Sequence, residues 1–226
     1  MKRTTMLMLC LLIVACPGFA QKTVKVTEMP ANEKKEGFKF LFDGTSMDQW
    51  TGNTSEYVLE EGCIAMHPDE KAGGNLYSKD SFDNFILRFD FLLTPGANNG
   101  LGIRHKIVGE NQGYIGMELQ ILDNEDPQYA NLHNYQYHGS VYGYIPAKRG
   151  YLNKPNEWNT EEVVADGNHI IIKVNGTVIL DGDLEEATKD IPKEKLQAGL
   201  FNPTGHIAFL GHGSAVKFKN IRIKSL

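Results

Sequence analysis

The chain has 226 residues and a net charge of −5, with acidic and basic side chains interspersed and no basic run. That argues against a nucleic-acid partner, which needs a concentrated positive face. Of three cysteines only Cys63 lies beyond the first twenty residues, so no disulfide staples the core.

In chain order, Lys2 and Arg3 precede an apolar run from Met6 to Ala15, then Pro17, Gly18, Phe19 and Ala20. A basic start, an apolar stretch too short to span a bilayer and small residues before a cut describe a secretory signal over 1–20. The run Ile13-Val14-Ala15-Cys16 offers a second cut with a lipid anchor on Cys16, whereas Pro17 and the Gly-Phe-Ala site favour a soluble product. Either way the protein is exported, to the periplasm or beyond, and touches a membrane only if lipidated. Residues 21–36 are charged and read as a flexible leader; 37–226 is long enough for one domain with its own core.

That domain reads as β throughout. Tyr57-Val58-Leu59 and Cys63 to Met66 flank a turn at Glu60-Glu61-Gly62. Phe85, Leu87, Phe89 and Phe91 alternate with polar residues on one strand. Asp166-Gly167 and Asn175-Gly176 turn Val163 to Leu180 into a three-stranded meander, since Asn-Gly suits the positive φ angles of a tight hairpin. Only Leu184 to Gln197 looks helical, and Pro192 cuts it short. At Asn220 the apolar parity flips, so a bulge there would keep Val216, Phe218, Ile221 and Ile223 all on the core side. Many strands, 23 glycines and scarcely a helix indicate an all-β, two-sheet jelly-roll sandwich.

Parity also locates candidate chemistry. Met117, Leu119 and Ile121 share one face of their strand, leaving Glu118 and Gln120 opposite and Asp123 at its end. In Leu101 to Lys106, strict alternation sends Leu101, Ile103 and His105 to the core and Gly102 and Arg104 away. In His206 to His212, Ile207 and Phe209 point inward and His212 outward. If these strands are neighbours, Arg104, Glu118, Gln120 and His212 converge. Simple alternation towards solvent would give the same pattern, but Gly100, Gly102 and Gly116 suggest close approach by a ligand.

These residues resemble the 3-keto-disaccharide hydrolase domain of secreted bacterial proteins, a concanavalin-like jelly roll. The resemblance runs from Gly37 to Leu226 through Phe40-Leu41-Phe42-Asp43-Gly44 with Trp50, Asn98 to Arg104, Glu118 to Asn124, and Gly139-Ser140-Val141-Tyr142-Gly143. It continues through Glu157-Trp158-Asn159, Val174-Asn175-Gly176 and Val216 to Ile223. The chain departs from the family at Leu210-Gly211-His212, where Gln-x-His is usual, and at Asn156.

The resemblance implies cleavage of 3-keto-glycosides. The C3 ketone acidifies the C2 proton, a base removes it, the C1 substituent leaves, and water adding back completes a net hydrolysis. Such a site needs a base, an acid and a partner for the C3 oxygen. Glu118, His138, His212 and Asp123 are the candidates for proton transfer; Arg104, Gln120, Tyr142 and Asn159 are the candidates to hold sugar. A divalent metal on Glu118, Asp123 and one histidine would stabilise an enolate, but no ligand spacing establishes it. The alternatives are a noncatalytic carbohydrate-binding module and a conventional endo-glycanase. The latter needs two flanking carboxylates, and Gln120 stands where concanavalin-like glucanases carry the Asp of Glu-x-Asp-x-x-Glu.

Overall fold

The computed structural model describes residues 27–69, 74–107 and 115–226, so the signal segment and the first part of the leader lie outside the described residues. Among the described residues the strands form two antiparallel sheets packed face to face as a jelly-roll sandwich. The larger sheet contains β1 (Lys39–Phe42), β3 (Tyr57–Glu60), β4 (Cys63–Met66), β6 (Phe85–Leu93), β9 (Trp158–Asp166), β10 (His169–Val174), β11 (Thr177–Asp183) and β13 (Val216–Ser225). Its order is β11-β10-β9-β6-β13-β4-β3, with β1 paired to β13. The smaller sheet runs β2 (Trp50–Gly52), β5 (Asn75–Phe82), β12 (Gly205–Gly211), β7 (Asn98–Lys106) and β8 (Ile115–Leu122).

The expected hairpins form at Glu60–Cys63, Asp166–His169 and Val174–Thr177. Alternation on β6 sends Phe85, Leu87, Phe89 and Phe91 into the core, where Phe209 stacks on Phe218 at 3.7 Å between ring centroids and on Trp50 at 5.5 Å. Burying such aromatics is the dominant stabilising contribution here, about 2–3 kcal/mol for each large side chain. The bulge on β13 is present: Asn220 takes φ 52, the register slips between Lys219 and Arg222, and Val216, Phe218, Ile221 and Ile223 are all buried.

Two expectations are corrected. The helix read from Leu184 onward ends early: α2 spans Leu184–Thr188, capped by Asp183 on the Glu186 N–H, and only a 3-10 turn at Lys193–Lys195 follows Pro192. The flexible leader also ends before Glu36, because Ala31–Glu36 forms a short helix, α1, closed by Gly37 at φ 93. Its Glu33 is buried and pairs with Arg88 of β6 and Arg222 of β13, so complementary charge docks a segment that composition alone made look loose.

β8 would be the open edge of the smaller sheet, but residues 139–142 line it. Gly139 N–H donates to Gln120 O, Gln120 N–H to Ser140 O, and Tyr142 N–H to Glu118 O, at 2.8–3.0 Å. This strip satisfies edge groups that would otherwise invite pairing with another chain, and it brings Tyr142 beside Glu118.

Candidate active site

The outer face of the smaller sheet carries the chemistry. Met117, Leu119 and Ile121 fill the core, so Glu118 and Gln120 turn outward. Across the ladder Glu118 faces Gly102 and Gln120 faces Gly100. A Cβ at Gly100 would overlap the Glu118 carboxylate, and one at Gly102 or Gly116 would overlap the His105 ring. The three glycines are therefore a floor cleared for two larger side chains, which is the close approach their pattern signalled. Glu118 is only 4% exposed, and its Oε1 lies 3.3 Å from Nε2 of His212, whose side chain is 38% exposed. A carboxylate withdrawn from water thus meets an imidazole that opens to it.

His105 joins this face against the alternation rule. Arg104 takes φ 53, and the β7–β8 register slips between Ile103 and Lys106. This bulge turns the next side chain over, and His105 lands above Gly102 and Gly116 instead of in the core. Its Nε2–H donates to Met117 O at 3.1 Å, and burial pulls its pKa down to about 4, so the ring is neutral near pH 7. His206 lies opposite His105 on β12, with Nδ1 2.8 Å from Ser78 O. Beyond it, Tyr77, Ala208 and Leu210 form an apolar patch separate from the main core. Parity turns His206 outward without making it a candidate, but it sends His105 the wrong way and passes over Tyr77; the signal for His105 was the pair of glycines needing something bulky above them.

Gln120 and Tyr142 border Glu118 on the strip side. Gln120 Nε2 donates to Gln136 O at 3.2 Å, and Gln136 Nε2 donates to the Tyr142 hydroxyl at 2.7 Å. Because that oxygen accepts from Gln136, its own hydrogen is left to donate elsewhere.

The other four candidates stand apart. The Arg104 guanidinium donates to Asp83 O (2.7 Å), Gly167 O (2.7 Å) and Asn84 Oδ1 (3.0 Å), tying together the turns that follow β5 and β9. Asp123 Oδ2 accepts from Gly96 N–H at 2.9 Å and holds the turn before β7. Asn159 Oδ1 accepts from Asn153 N–H and Asn175 Nδ2, both at 2.8 Å, and so braces the loop before β9. His138 lies inside the sandwich, 1% exposed and stacked on Phe91 at 5.1 Å. The expected convergence therefore keeps Glu118, Gln120 and His212 and loses Arg104, whose parity the bulge breaks, while the strip adds Tyr142 beside Glu118. The metal set of Glu118, Asp123 and a histidine does not assemble. Among the described residues no group of three or more His, Cys, Asp or Glu gathers to hold an ion.

Residues 37–224 match the 3-keto-alpha-glucoside-1,2-lyase-like domain family. Two solved structures from Parabacteroides distasonis ATCC 8503, each a glycosyl hydrolase by provisional assignment, are similar in fold. One is 23% identical with a TM-score of 0.77, covering 89% of this chain and 100% of its own. The other is 27% identical with a TM-score of 0.70, covering 84% and 99%. A Bacillus subtilis protein of unknown function with a galectin-like fold aligns at 13% identity and a TM-score of 0.50, over 75% of this chain and 85% of its own. No curated protein sequence matches the chain significantly.

Proposed function

The chain belongs to the 3-keto-alpha-glucoside-1,2-lyase-like domain family, and from that premise we propose that this carbohydrate-active protein is an enzyme cleaving 3-keto-glycosides by elimination, with Glu118 as base. The observation that carries the reading is the Glu118–His212 pair: a shielded carboxylate over a glycine floor, 3.3 Å from an imidazole open to solvent. Base and acid then stand side by side, as proton removal at C2 and proton delivery at the C1 oxygen require.

In the proposed sequence Glu118 takes the C2 proton, and the C2–H pair moves into the C2–C3 bond as the C3 carbonyl becomes an enolate. The Tyr142 hydroxyl hydrogen and the second Gln120 amide hydrogen are the donors available to that oxyanion. Collapse of the enolate breaks the C1–O bond, His212 protonates the departing oxygen, and the sugar is left as an enone. Water adding at C1 returns a 3-keto sugar and completes a net hydrolysis. His105, held neutral on the glycine floor beside Glu118, fills the space above Gly102 and Gly116 and carries no proton in this scheme.

Conventional glycosidase chemistry is less well supported. Asp123, the carboxylate that could join Glu118 in a two-carboxylate mechanism, is occupied by Gly96 N–H. A chromogenic 3-keto-glucoside and its unoxidised parent, each incubated in deuterium oxide, test the proposal. Chromophore release from the oxidised sugar alone, with deuterium at C2 of recovered material, is expected. Equal release from the parent without exchange would replace elimination by direct hydrolysis.

We also propose that the chain is exported, with a mature start at Gln21, or at a lipidated Cys16. The basic start and short apolar run support this. Among the described residues no helix is long and apolar enough to cross a membrane. Mass spectrometry of the protein from its native envelope decides the start, and an intact Met1 would refute both cuts.

A further inference from the structure

The sandwich holds a second glutamate–histidine pair that the scheme above does not use. Glu161 of β9 points inward with Asn159 and Val163, and its carboxylate lies 3.1 Å from Nε2 of His138, both side chains 1% exposed. The contact is close but off the line of an ideal N–H···O bond, and neither Glu161 oxygen has a hydrogen-bond partner among the described residues. An inward carboxylate with one basic neighbour is costly, so His138 is the group on which its burial depends.

His138 is tied equally firmly to the other sheet. Leu122 N–H, at the end of β8, donates to its Nδ1 at 3.4 Å, which leaves Nε2 as the protonated nitrogen facing Glu161. The His138 N–H donates to Asn124 Oδ1 at 2.8 Å. The next residue, Gly139, begins the strip on β8: its N–H bonds Gln120 O, and three residues later Tyr142 N–H bonds the carbonyl of Glu118 itself. Gly139 leaves little latitude, since it takes φ 76 and a Cβ there would overlap Ile179. One buried contact therefore fixes the start of the strip whose far end carries Tyr142 and grips the main chain of the proposed base.

We propose that Glu161 and His138 form an inter-sheet latch that positions Glu118 and Tyr142, with Glu161 a positioning residue for the reaction on the opposite side of the smaller sheet. The part concerning turnover rests on the elimination reading. The latch itself does not, because it also predicts how tightly the strip is held.

The test compares wild type with Glu161→Gln, Glu161→Leu and the double variant His138→Leu/Glu161→Leu. The double change removes both members of the pair and leaves only the Leu122 N–H without its acceptor, which keeps a folded protein in hand if the single leucine variant unfolds. Amide hydrogen exchange is followed at Gly139 and Tyr142, and at Ile170 as a reference in β10, where it pairs with Ala165 and Gly182 and not with Glu161. Both leucine variants should exchange about tenfold faster at the two strip amides with Ile170 unchanged. On a 3-keto-glycoside kcat should fall roughly ten- to a hundredfold with KM little changed, as a displaced base and donor would produce. Glu161→Gln, which keeps an oxygen facing Nε2, should recover most of both. Unchanged strip exchange in a folded leucine variant would overturn the latch. Faster exchange with unchanged kcat would overturn its positioning role. If wild type turns over no 3-keto-glycoside, the elimination reading falls, and the exchange result alone decides the latch.

Discussion

Two histidine–glutamate pairs sit on opposite sides of one sheet. His212 and His138 are each followed by glycine, and each places Nε2 3.1–3.3 Å from a glutamate oxygen. The first pair opens to solvent through a half-exposed imidazole, whereas the second is sealed against Phe91 with both members 1% exposed. The residue types are the same; their access differs. Solvent reaches the outer pair, which on the elimination reading lets it exchange a proton with substrate, while the inner pair is closed to both. The chemistry of such a pair is set by what can reach it and not by its composition.

The largest effect expected from this contrast is on turnover. Glu118→Gln should lower kcat on a 3-keto-glycoside by about a hundred- to ten-thousandfold, the usual worth of a positioned general base, while stability stays within about 1 kcal/mol. Glu161→Gln should leave kcat within about tenfold of wild type, since it touches no reacting atom. Steady-state kinetics and thermal unfolding of both proteins check this, and comparable losses of kcat would erase the functional distinction between the pairs.

Stability should show the reverse order. Removing one partner of a sealed pair strands the other, so His138→Leu should cost about 3–5 kcal/mol in urea unfolding. His212→Leu should cost less than that, because the imidazole it removes is itself open to solvent and not sealed in the core. A third histidine extends the contrast to pH. Burial holds the His105 pKa at about 4, below the ordinary value near 6.5, so the unfolded chain binds its proton first as the solution is acidified. Its contribution is full above about pH 6.5 and is lost as pH falls towards 4, by about 3 kcal/mol in all. Urea midpoints at pH 7 and pH 4.5 should therefore separate, with part of that separation removed in His105→Phe.

The sandwich was legible in the sequence because its signals are local: parity on Phe85 to Phe91, tight glycine turns, and the phase flip at Asn220. Glu118, Gln120 and His212 were legible for the same reason, lying on or just past strands that keep their alternation, whereas Tyr142 came from the resemblance and not from parity. Arg104 and His105 were misread together, because one residue with positive φ exchanges the faces of all that follow, and nothing in Ile103-Arg104-His105 announces it. His138 and Asn159 were misplaced for a different reason. A polar residue beside glycine or in a loop looks accessible, and only tertiary packing shows Phe91 over one and Asn153 and Asn175 around the other. Glu161 was invisible because an inward carboxylate on a strand of alternating character reads as one more exposed position. Glu33 escaped notice likewise, its two arginine partners lying far along the chain.

The smallest effect expected is at Gly100, and it probes the floor beneath the outer pair directly. Its backbone is extended, so alanine is sterically acceptable to the main chain, and the whole consequence falls on the Glu118 carboxylate that the new methyl would overlap. Either the carboxylate swings away from His212 or the strands part slightly, and the first is cheaper because one side-chain torsion absorbs it. Gly100→Ala should therefore lower kcat about tenfold while the urea midpoint scarcely moves. Shortening the acid by one methylene vacates the same space, so Glu118→Asp should cost less in the Gly100→Ala background than in wild type, a coupling of about 1 kcal/mol in a double-mutant cycle. Strict additivity would mean that Gly100 and Glu118 do not share that space in solution, and the glycine floor would then lose its part in the site.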